Sequence, residues 1–277
     1  MRYELICVMY RIGKVLRIIN SILRVGQINI IMEILHCDFQ MRYRIFYVRY
    51  IAFVKGKDMK YDVMIIGAGP GGIFSAYELI TQDSSLKIAV FEYGNPLEKR
   101  HCPIDGDKIK SCINCKSCGI MNGFGGAGAF SDGKYNITNE FGGTLHEYIG
   151  KKKAIELMHY VDGINVKYGG GKTKLYSTAN SDIKRLCLQN NLHLLDASVR
   201  HLGTDINYEV LENIYNYLKD KVEFHFSTPI KKIEKLEKGY KIYSKDNEFE
   251  GDKCIVSVGR SGSKWMEQIC KELKIPT

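Results

Sequence analysis

Tyr61-Asp-Val-Met-Ile-Ile66, Gly67-Ala-Gly-Pro-Gly-Gly72 and Lys87-Ile-Ala-Val-Phe-Glu92 are the segments that decide the fold of this chain. A short apolar run bounded by glycines predicts a buried strand, and the first and third segments both contain such a run. Between them, apolar side chains follow helical spacing at Ile73, Ala76, Tyr77 and Ile80. The stretch therefore predicts a strand, a glycine turn, a helix and a second strand.

The glycine turn has the spacing of a dinucleotide-binding loop. In that interpretation Gly67 permits the tight turn, Gly69 lets the backbone approach a pyrophosphate, and Gly72 lets the helix pack against the strand. The helix N-terminus offers N–H groups and a positive dipole end to the phosphates. Glu92 ends the second strand, where an acid accepts a hydrogen bond from a ribose hydroxyl. The predicted contacts are Gly67, Ala68, Gly69, Pro70, Gly71, Gly72 and Glu92. A purely structural turn is the alternative.

Length and charge set limits on the class of protein. The chain has 277 residues, of which 45% are hydrophobic and 26% charged, as in ordinary soluble domains. Its formal net charge is +9, but residues 1–58, with ten Lys or Arg and four Asp or Glu, contribute +6 of it. The remainder carries only +3, so the composition does not predict a nucleic-acid partner.

Residues 1–58 differ from the rest of the chain. Apolar side chains around Val15 to Leu23 follow helical spacing, which is compatible with a basic amphipathic helix at a membrane surface or with a targeting segment. Because Met59 resembles a natural start just before the first strand, we favour an N-terminal extension without a folded role. Arg11, Lys14 and Arg17 interrupt the apolar runs, which argues against a secretory signal. No run is long enough for a transmembrane segment, and we expect a cytoplasmic protein.

The chain contains nine cysteines, of which Cys102, Cys112, Cys115 and Cys118 lie close together in sequence. An odd number without a secretory signal indicates reduced thiols rather than a disulfide framework. Four thiolates at this spacing suit a zinc ion or an iron–sulfur cluster. A redox-active thiol pair and unreactive free thiols are the two alternatives. The other cysteines are expected to be ordinary core or surface residues.

Residues 93–134 form a predicted Cys/Gly-rich loop inserted into the nucleotide domain. Its second half, Gly123-Phe-Gly-Gly-Ala-Gly-Ala-Phe-Ser-Asp-Gly-Lys134, is rich in small residues, which suit close approach of the backbone to a ligand. Candidate cofactor contacts in it are Gly125, Gly126, Ala127, Ser131, Asp132 and Lys134. A flexible loop without a ligand is the alternative.

Further elements follow along the chain. Helices are predicted over residues 144–168, 181–193, 208–218 and 265–273, and strands over 192–195, 222–226, 231–236, 238–244 and 254–258. Residues 199–205 are predicted to be a polar turn. This order predicts an α/β fold with an FAD/NAD(P)-binding Rossmann-like parallel sheet and an inserted, incomplete second domain. Residues 59–277 would be the nucleotide domain, with part of a substrate domain at about 140–220.

Several of these motifs carry a family resemblance. The Gly67–Gly72 turn with Glu92 resembles an FAD-binding unit of the glutathione-reductase type. Thr228-Pro-Ile230 resembles the strand end that meets the adenine, and Ser257-Val-Gly259 resembles an Ala-Thr-Gly turn without its threonine. Together with the cysteine spacing and Ser131-Asp-Gly-Lys134, the chain from Met59 onward resembles uncharacterised FAD-dependent dehydrogenases, whose members extend further at the C-terminus. The resemblance implies that Ile230 and Gly259 contact the cofactor.

The expected function is that of an FAD-dependent oxidoreductase with an unknown substrate. The fingerprint itself does not distinguish FAD from NAD, but the glycine-rich insertion and the returning strands favour FAD. NAD(P)H would serve as reductant, and a small molecule or an electron-transfer protein would be the partner. The alternatives are an inactive nucleotide-binding fragment of such an enzyme and a flavin-dependent protein that modifies RNA or a cofactor.

Overall fold

The computed structural model describes residues 46–47, 61–179 and 181–276. Its strands are Phe46–Tyr47 (β1), Tyr61–Ile66 (β2), Ile88–Phe91 (β3), Lys134–Ile137 (β4), Leu175–Ser177 (β5), Ser198–His201 (β6), Glu223–His225 (β7), Lys232–Lys235 (β8), Tyr240–Tyr243 (β9) and Glu248–Val256 (β10). Its α-helices are Pro70–Gln82 (α1), Leu145–Ile149 (α2), Lys151–Lys167 (α3), Asp182–Gln189 (α4), Gly203–Leu218 (α5) and Ser263–Glu272 (α6). Short 3-10 helices lie at Leu97–Lys99, Gly126–Phe130, Gly170–Lys172 and Arg260–Gly262.

Strand β2 lies at the centre of a seven-stranded sheet with the order β7-β3-β2-β10-β9-β8, and β1 pairs with the end of β10. The four strands β7, β3, β2 and β10 are parallel, whereas β9 pairs antiparallel with both β10 and β8. Val63 pairs with Ile88 on one side of β2 and with Lys253 on the other. The carboxyl ends of β2, β3 and β10 therefore meet at one edge, where ligands bind in open α/β sheets.

Both faces of the parallel strands are buried, which explains their uninterrupted apolar sequences. Met64, Ile66 and Phe91 lie in one core cluster with Met266 and Ile269 of α6. On the opposite face, Ile65 lies beneath the start of α1, whose residues Gly72–Ile80 are all buried. The sheet is thus covered on both sides.

The described residues fall into two compact units. Residues 46–47, 61–127 and 216–276 form the seven-stranded unit, and Gly128–Tyr215 forms a unit that contains the antiparallel sheet β4-β6-β5. We call the second one the three-stranded unit. Along the chain it interrupts the first, and its role as part of a substrate domain stays a prediction.

The three-stranded unit contains a buried ion pair. The guanidinium of Arg200 donates from Nε to Asp162 Oδ1 at 2.6 Å and from Nη2 to Asp162 Oδ2 at 2.9 Å, and it also bonds the carbonyl of Thr173. Both charged residues are less than 9% exposed. Burial, followed by the negative charge of Asp162, raises the pKa of Tyr135 to about 12, and its hydroxyl donates to Asn207 Oδ1 at 2.9 Å.

The predicted α/β fold class is confirmed, as are the strand, turn, helix and strand of residues 61–92. The predicted hairpin is also present as β8 and β9, with Gly239 at φ +78° between them. The predicted strand at 254–258 begins earlier, at Glu248, because its polar first half pairs with β9.

Three element predictions were wrong. The helix at 144–168 is broken into α2 and α3 at Gly150, whose φ of +83° is not helical. Residues 199–205 are not a turn but the end of β6 and the start of α5, since Arg200 is buried in its ion pair rather than solvated. Residues 192–195 form no strand, and Leu192 and Leu195 are exposed.

The predicted N-terminal extension of residues 1–58 lies outside the described residues, apart from β1. Within the described part of the chain, none of the helices combines the length and apolar character needed to cross a membrane.

Candidate nucleotide site

Two glycines of the turn after β2 are required by the fold itself. Gly67 has a φ of +102°, and a Cβ there would lie 2.5 Å from the carbonyl oxygen of Ser257 at the end of β10. A Cβ on Gly72 would lie 1.9 Å from the carbonyl oxygen of Gly67. Neither carbonyl can move without shifting a sheet strand or its turn. These positions therefore admit only glycine, as expected for a helix that starts directly against its strand.

Gly69 differs from its neighbours because the protein itself does not require a glycine there. Its φ of −74° is open to any residue, and no atom lies within 4 Å of a Cβ built on it. It is the N-cap of α1, with Pro70 in the first turn, and no side chain caps the helix and no acid lies in its first turn. The turn thus leaves the positive end of α1 open, with space next to the Gly69 Cα, and this arrangement suits an anion such as a phosphate.

Glu92 connects three segments at the carboxyl edge of the sheet. Its Oε2 accepts from the backbone N–H of Ala68 at 2.7 Å, and its Oε1 accepts from Gly94 at 2.8 Å and Gly123 at 2.9 Å. The side chain is only 7% exposed. A carboxylate has about four acceptor positions, so these three bonds leave capacity for one more donor, such as a ribose hydroxyl.

The first part of the glycine-rich segment lies on the same turn. The N–H of Gly125 donates to the carbonyl of Ala68 at 2.9 Å, and a Cβ on Gly126 would lie 3.2 Å from the Gly69 Cα. Gly126 has a φ of +58° and begins the 3-10 helix that contains Ala127. The predicted contacts Gly125 and Gly126 are therefore adjacent to Gly69.

The end of β10 borders the site from the other side. Gly71 faces Ser257, since a Cβ on Gly71 would lie 2.3 Å from Ser257 Oγ. Gly259 has no atom within 4 Å of a Cβ, so it too is open. Ile230 lies in the core cluster, and its side chain is 9% exposed.

The remaining predicted contacts, Ser131, Asp132 and Lys134, belong to the three-stranded unit. Ser131 Oγ donates to the carbonyl of Gly128 at 2.9 Å. Lys134 forms a 2.6 Å ion pair with Asp132, and both side chains are more than half exposed. This hydrogen bond from Lys134 holds the pKa of Asp132 below its ordinary value, with a smaller contribution from His201. Their contact with a cofactor stays a prediction.

The predicted zinc or iron–sulfur site is not supported. Within residues 46–47, 61–179 and 181–276, no group of three or more His, Cys, Asp or Glu side chains is arranged to hold a metal ion. Cys102, Cys112, Cys115 and Cys118 are free thiols, and Cys112 Sγ donates to Asn114 Oδ1 at 3.7 Å. Short spacing in sequence brings ligands together only if the loop curls around the ion, and other contacts fix the shape of this loop.

Arg100 supplies three contacts in the part of the loop that follows Cys118, and the sequence patterns did not indicate it. Its guanidinium donates to the carbonyls of Gly119, Ile120 and Phe124. A second missed contact is the 2.8 Å hydrogen bond from Ser261 Oγ to Asn122 Oδ1, which connects the loop to the segment after β10. Single polar residues in a loop without periodicity give no signal that distinguishes them from solvated ones.

Exchanging Glu92 for Gln tests its connecting role. The amide NH₂ must face at least one of the three backbone donors, so we expect Glu92→Gln to lose about 1–3 kcal/mol of unfolding free energy. Urea unfolding measures this loss. Glu98→Gln, an exposed acid six residues further along the same loop, is the control and should change stability by less than about 0.5 kcal/mol. If Glu92→Gln and Glu98→Gln had equal unfolding free energies, Glu92 would not stabilise the connection between the three segments.

No family model matches the chain, and no curated protein matches it. Solved structures do match. Glycine oxidase from Geobacillus kaustophilus is 14% identical with a TM-score of 0.45, and the match covers 78% of this chain and 59% of the oxidase. L-amino acid deaminase from Proteus vulgaris is 12% identical with a TM-score of 0.38, covering 81% and 53%. T. acidophilum thioredoxin reductase is 10% identical with a TM-score of 0.29, covering 72% and 35%.

The matched region thus spans at most about three fifths of these proteins, and similarity at this level identifies neither an activity nor a substrate. The class of protein follows instead from the strand order, the parallel register and the turn after β2. The seven-stranded unit is an α/β unit of the Rossmann-like type found in FAD- and NAD(P)-binding proteins.

Proposed function

We propose that the seven-stranded unit binds the AMP and pyrophosphate part of FAD and that the chain belongs to an FAD-dependent oxidoreductase. The observation that carries the proposal is Gly69. Its backbone conformation is ordinary and its Cβ position is empty, so neither backbone strain nor packing in the described protein requires a glycine there. A phosphate packed against this Cα, at the open N-terminus of α1, explains it.

The donors and acceptors around Gly69 fit such a ligand. The N–H groups of Gly71 and Gly72 in the first turn of α1 would bind the pyrophosphate, and Glu92 would accept from the adenosine ribose. Gly125 and Gly126 lie against the same turn, and the open Gly259 follows two residues after Ser257, which borders it. This arrangement supports a ligand longer than a mononucleotide. This second glycine segment is the feature that favours FAD over NAD(P).

Bound flavin supplies two-electron redox chemistry that no amino-acid side chain provides. The residues of this chain would bind the dinucleotide, orient it along the carboxyl edge of the sheet and exclude water from the pyrophosphate. NAD(P)H as reductant and a small molecule or an electron-transfer protein as partner belong to the same proposal. The three-stranded unit would contribute to the substrate domain, and no side chain is assigned a catalytic role.

Reconstitution tests this proposal. Purified protein is incubated with FAD, freed of unbound ligand and examined for the visible absorbance bands of oxidised flavin, with NAD and NADP as competitors. We expect a stoichiometric yellow complex that neither competitor displaces. Colourless protein that binds NAD would assign the site to the nicotinamide cofactor, and protein that binds neither would refute a nucleotide site. Bound FAD that NAD(P)H does not reduce would refute the proposed reductant and favour the inactive fragment.

A further inference from the structure

Arg100 is a buried cation that acts on backbone carbonyls. It lies directly after the 3-10 helix Leu97–Lys99, is 5% exposed and donates a hydrogen bond from its own N–H to Leu97 at 3.1 Å. Its Nε donates to the carbonyl of Gly119 at 3.0 Å and its Nη2 to that of Ile120 at 2.8 Å, while its Nη1 bonds the carbonyl of Phe124. One rigid guanidinium thus fixes both ends of a six-residue turn.

Glu92 holds the same turn from the opposite side, because it accepts from the N–H of Gly123. Gly123 has a φ of +114°, and a Cβ there would lie 2.5 Å from the carbonyl of Asn95 and 2.6 Å from Arg100 Cδ. Phe124 donates its N–H to Asn95 at 3.1 Å and is fully buried, with its ring edge-on to Phe224 at 5.8 Å. A buried anion therefore accepts from the N–H of Gly123, and a buried cation donates to the carbonyl of Phe124.

The next two residues reach the phosphate-binding turn. Gly125 donates to the carbonyl of Ala68, and Gly126 packs on the Gly69 Cα. The distance between Gly126 and Gly69 is consequently set by where Phe124 is held. A displacement of the Gly119–Phe124 turn would therefore displace Gly125 and Gly126 relative to Ala68 and Gly69.

We propose that Arg100 is a positioning residue for dinucleotide binding. By bonding the carbonyls of Gly119, Ile120 and Phe124, it fixes the distance of the next two residues, Gly125 and Gly126, from the phosphate-binding turn. It does so without touching the ligand. The ligand class affected is any nucleotide with a pyrophosphate, whereas a nucleoside monophosphate held through Glu92 depends on it much less. This inference rests on the proposed nucleotide site and adds how that site distinguishes its ligands.

The test uses Arg100→Gln, Arg100→Lys and, as control for the lost charge, Arg185→Gln on the exposed surface of α4. Affinities for FAD, ADP and AMP are measured by calorimetry, and amide hydrogen exchange is followed in the nucleotide-free proteins. For Arg100→Gln we expect about tenfold to a hundredfold weaker FAD and ADP binding, the equivalent of one or two charged hydrogen bonds. The Kd for AMP should rise by less than about threefold, which is a small change in binding free energy. Exchange at the amides of residues 123–125 should accelerate, and Arg185→Gln should match the wild type.

Arg100→Lys keeps the charge but not the fork that bonds three carbonyls, so its FAD affinity should lie between those of the wild type and Arg100→Gln. If Arg100→Gln does not fold, the FAD affinity of Arg100→Lys tests the positioning role instead. Parallel losses of FAD, ADP and AMP binding, or unchanged exchange at residues 123–125, would overturn the positioning role. Wild-type protein that binds no dinucleotide would overturn the proposed function itself, whatever the Arg100 variants do.

Discussion

Gly72→Ala is expected to destabilise the seven-stranded unit by about 3 kcal/mol or more, because forcing atoms into a packed site costs about 1–3 kcal/mol and a backbone obstacle places it at the upper end. The added Cβ would lie 1.9 Å from the carbonyl oxygen of Gly67 and 3.3 Å from Ile65 Cγ2. Relief requires α1 to move away from β2, and that movement opens the buried face of the helix. The measurement is chemical unfolding followed by circular dichroism.

Gly69→Ala is the matched control for this substitution. It adds the same methyl group three residues earlier, at a position where no atom lies within 4 Å of it. We expect a change of at most about 1 kcal/mol, the difference between glycine and alanine at an N-cap. Similar stabilities for the two variants would contradict the close helix–strand contact.

Asp162→Ala is expected to destabilise the three-stranded unit by about 3–5 kcal/mol, because it leaves the Arg200 guanidinium buried without its counter-ion. Two hydrogen bonds, at 2.6 and 2.9 Å, join the pair, and Arg200 belongs to the central strand β6. A guanidinium is not deprotonated in proteins, so Arg200 cannot become neutral to avoid the cost. Hydrogen exchange of β4, β5 and β6 measures the effect.

Lys172→Ala is the control, since it removes one partner of an exposed ion pair in the same unit. Its ammonium lies 2.6 Å from Glu209, with the two side chains 58% and 39% exposed. Solvent-exposed pairs contribute about 0–1 kcal/mol. If Lys172→Ala and Asp162→Ala were equally stable, the buried Arg200–Asp162 pair would not determine the stability of the three-stranded unit.

The sequence predicted the strand, turn, helix and strand of residues 61–92 well because its signals are local. Apolar runs, three glycines at fixed spacing and an acid at the end of the next strand each reflect a short-range constraint, and Gly67, Gly72 and Glu92 all lie where that pattern requires. Gly69 is the informative case, since neither its backbone conformation nor its packing in the described residues requires a glycine. Cys254, expected to be an ordinary core or surface thiol, is buried, and burial raises its pKa to about 12.

The errors arose where a long-range contact outweighs local character. Arg200 appeared to be part of a polar turn, but a partner 38 residues away allows it to lie in a buried strand. The cysteine spacing suggested a metal site, but the described residues contain no group arranged to hold a metal ion. Arg100 and Glu92 hold the segment after Cys118 through backbone groups that no side-chain motif encodes. The sequence predicted a ribose contact for Glu92, which stays a prediction, but it did not predict the three backbone N–H groups that Glu92 accepts from.

Titration of FAD into the wild type and Gly69→Ala, followed by flavin fluorescence and calorimetry, tests the central claim most directly. The wild type is expected to bind one FAD per chain, and Gly69→Ala, with nearly unchanged stability, to bind it at least about tenfold more weakly, a difference of about 1.4 kcal/mol. Wild-type protein that takes up no FAD, or a Gly69→Ala variant that binds FAD as tightly as the wild type, would contradict the proposed site.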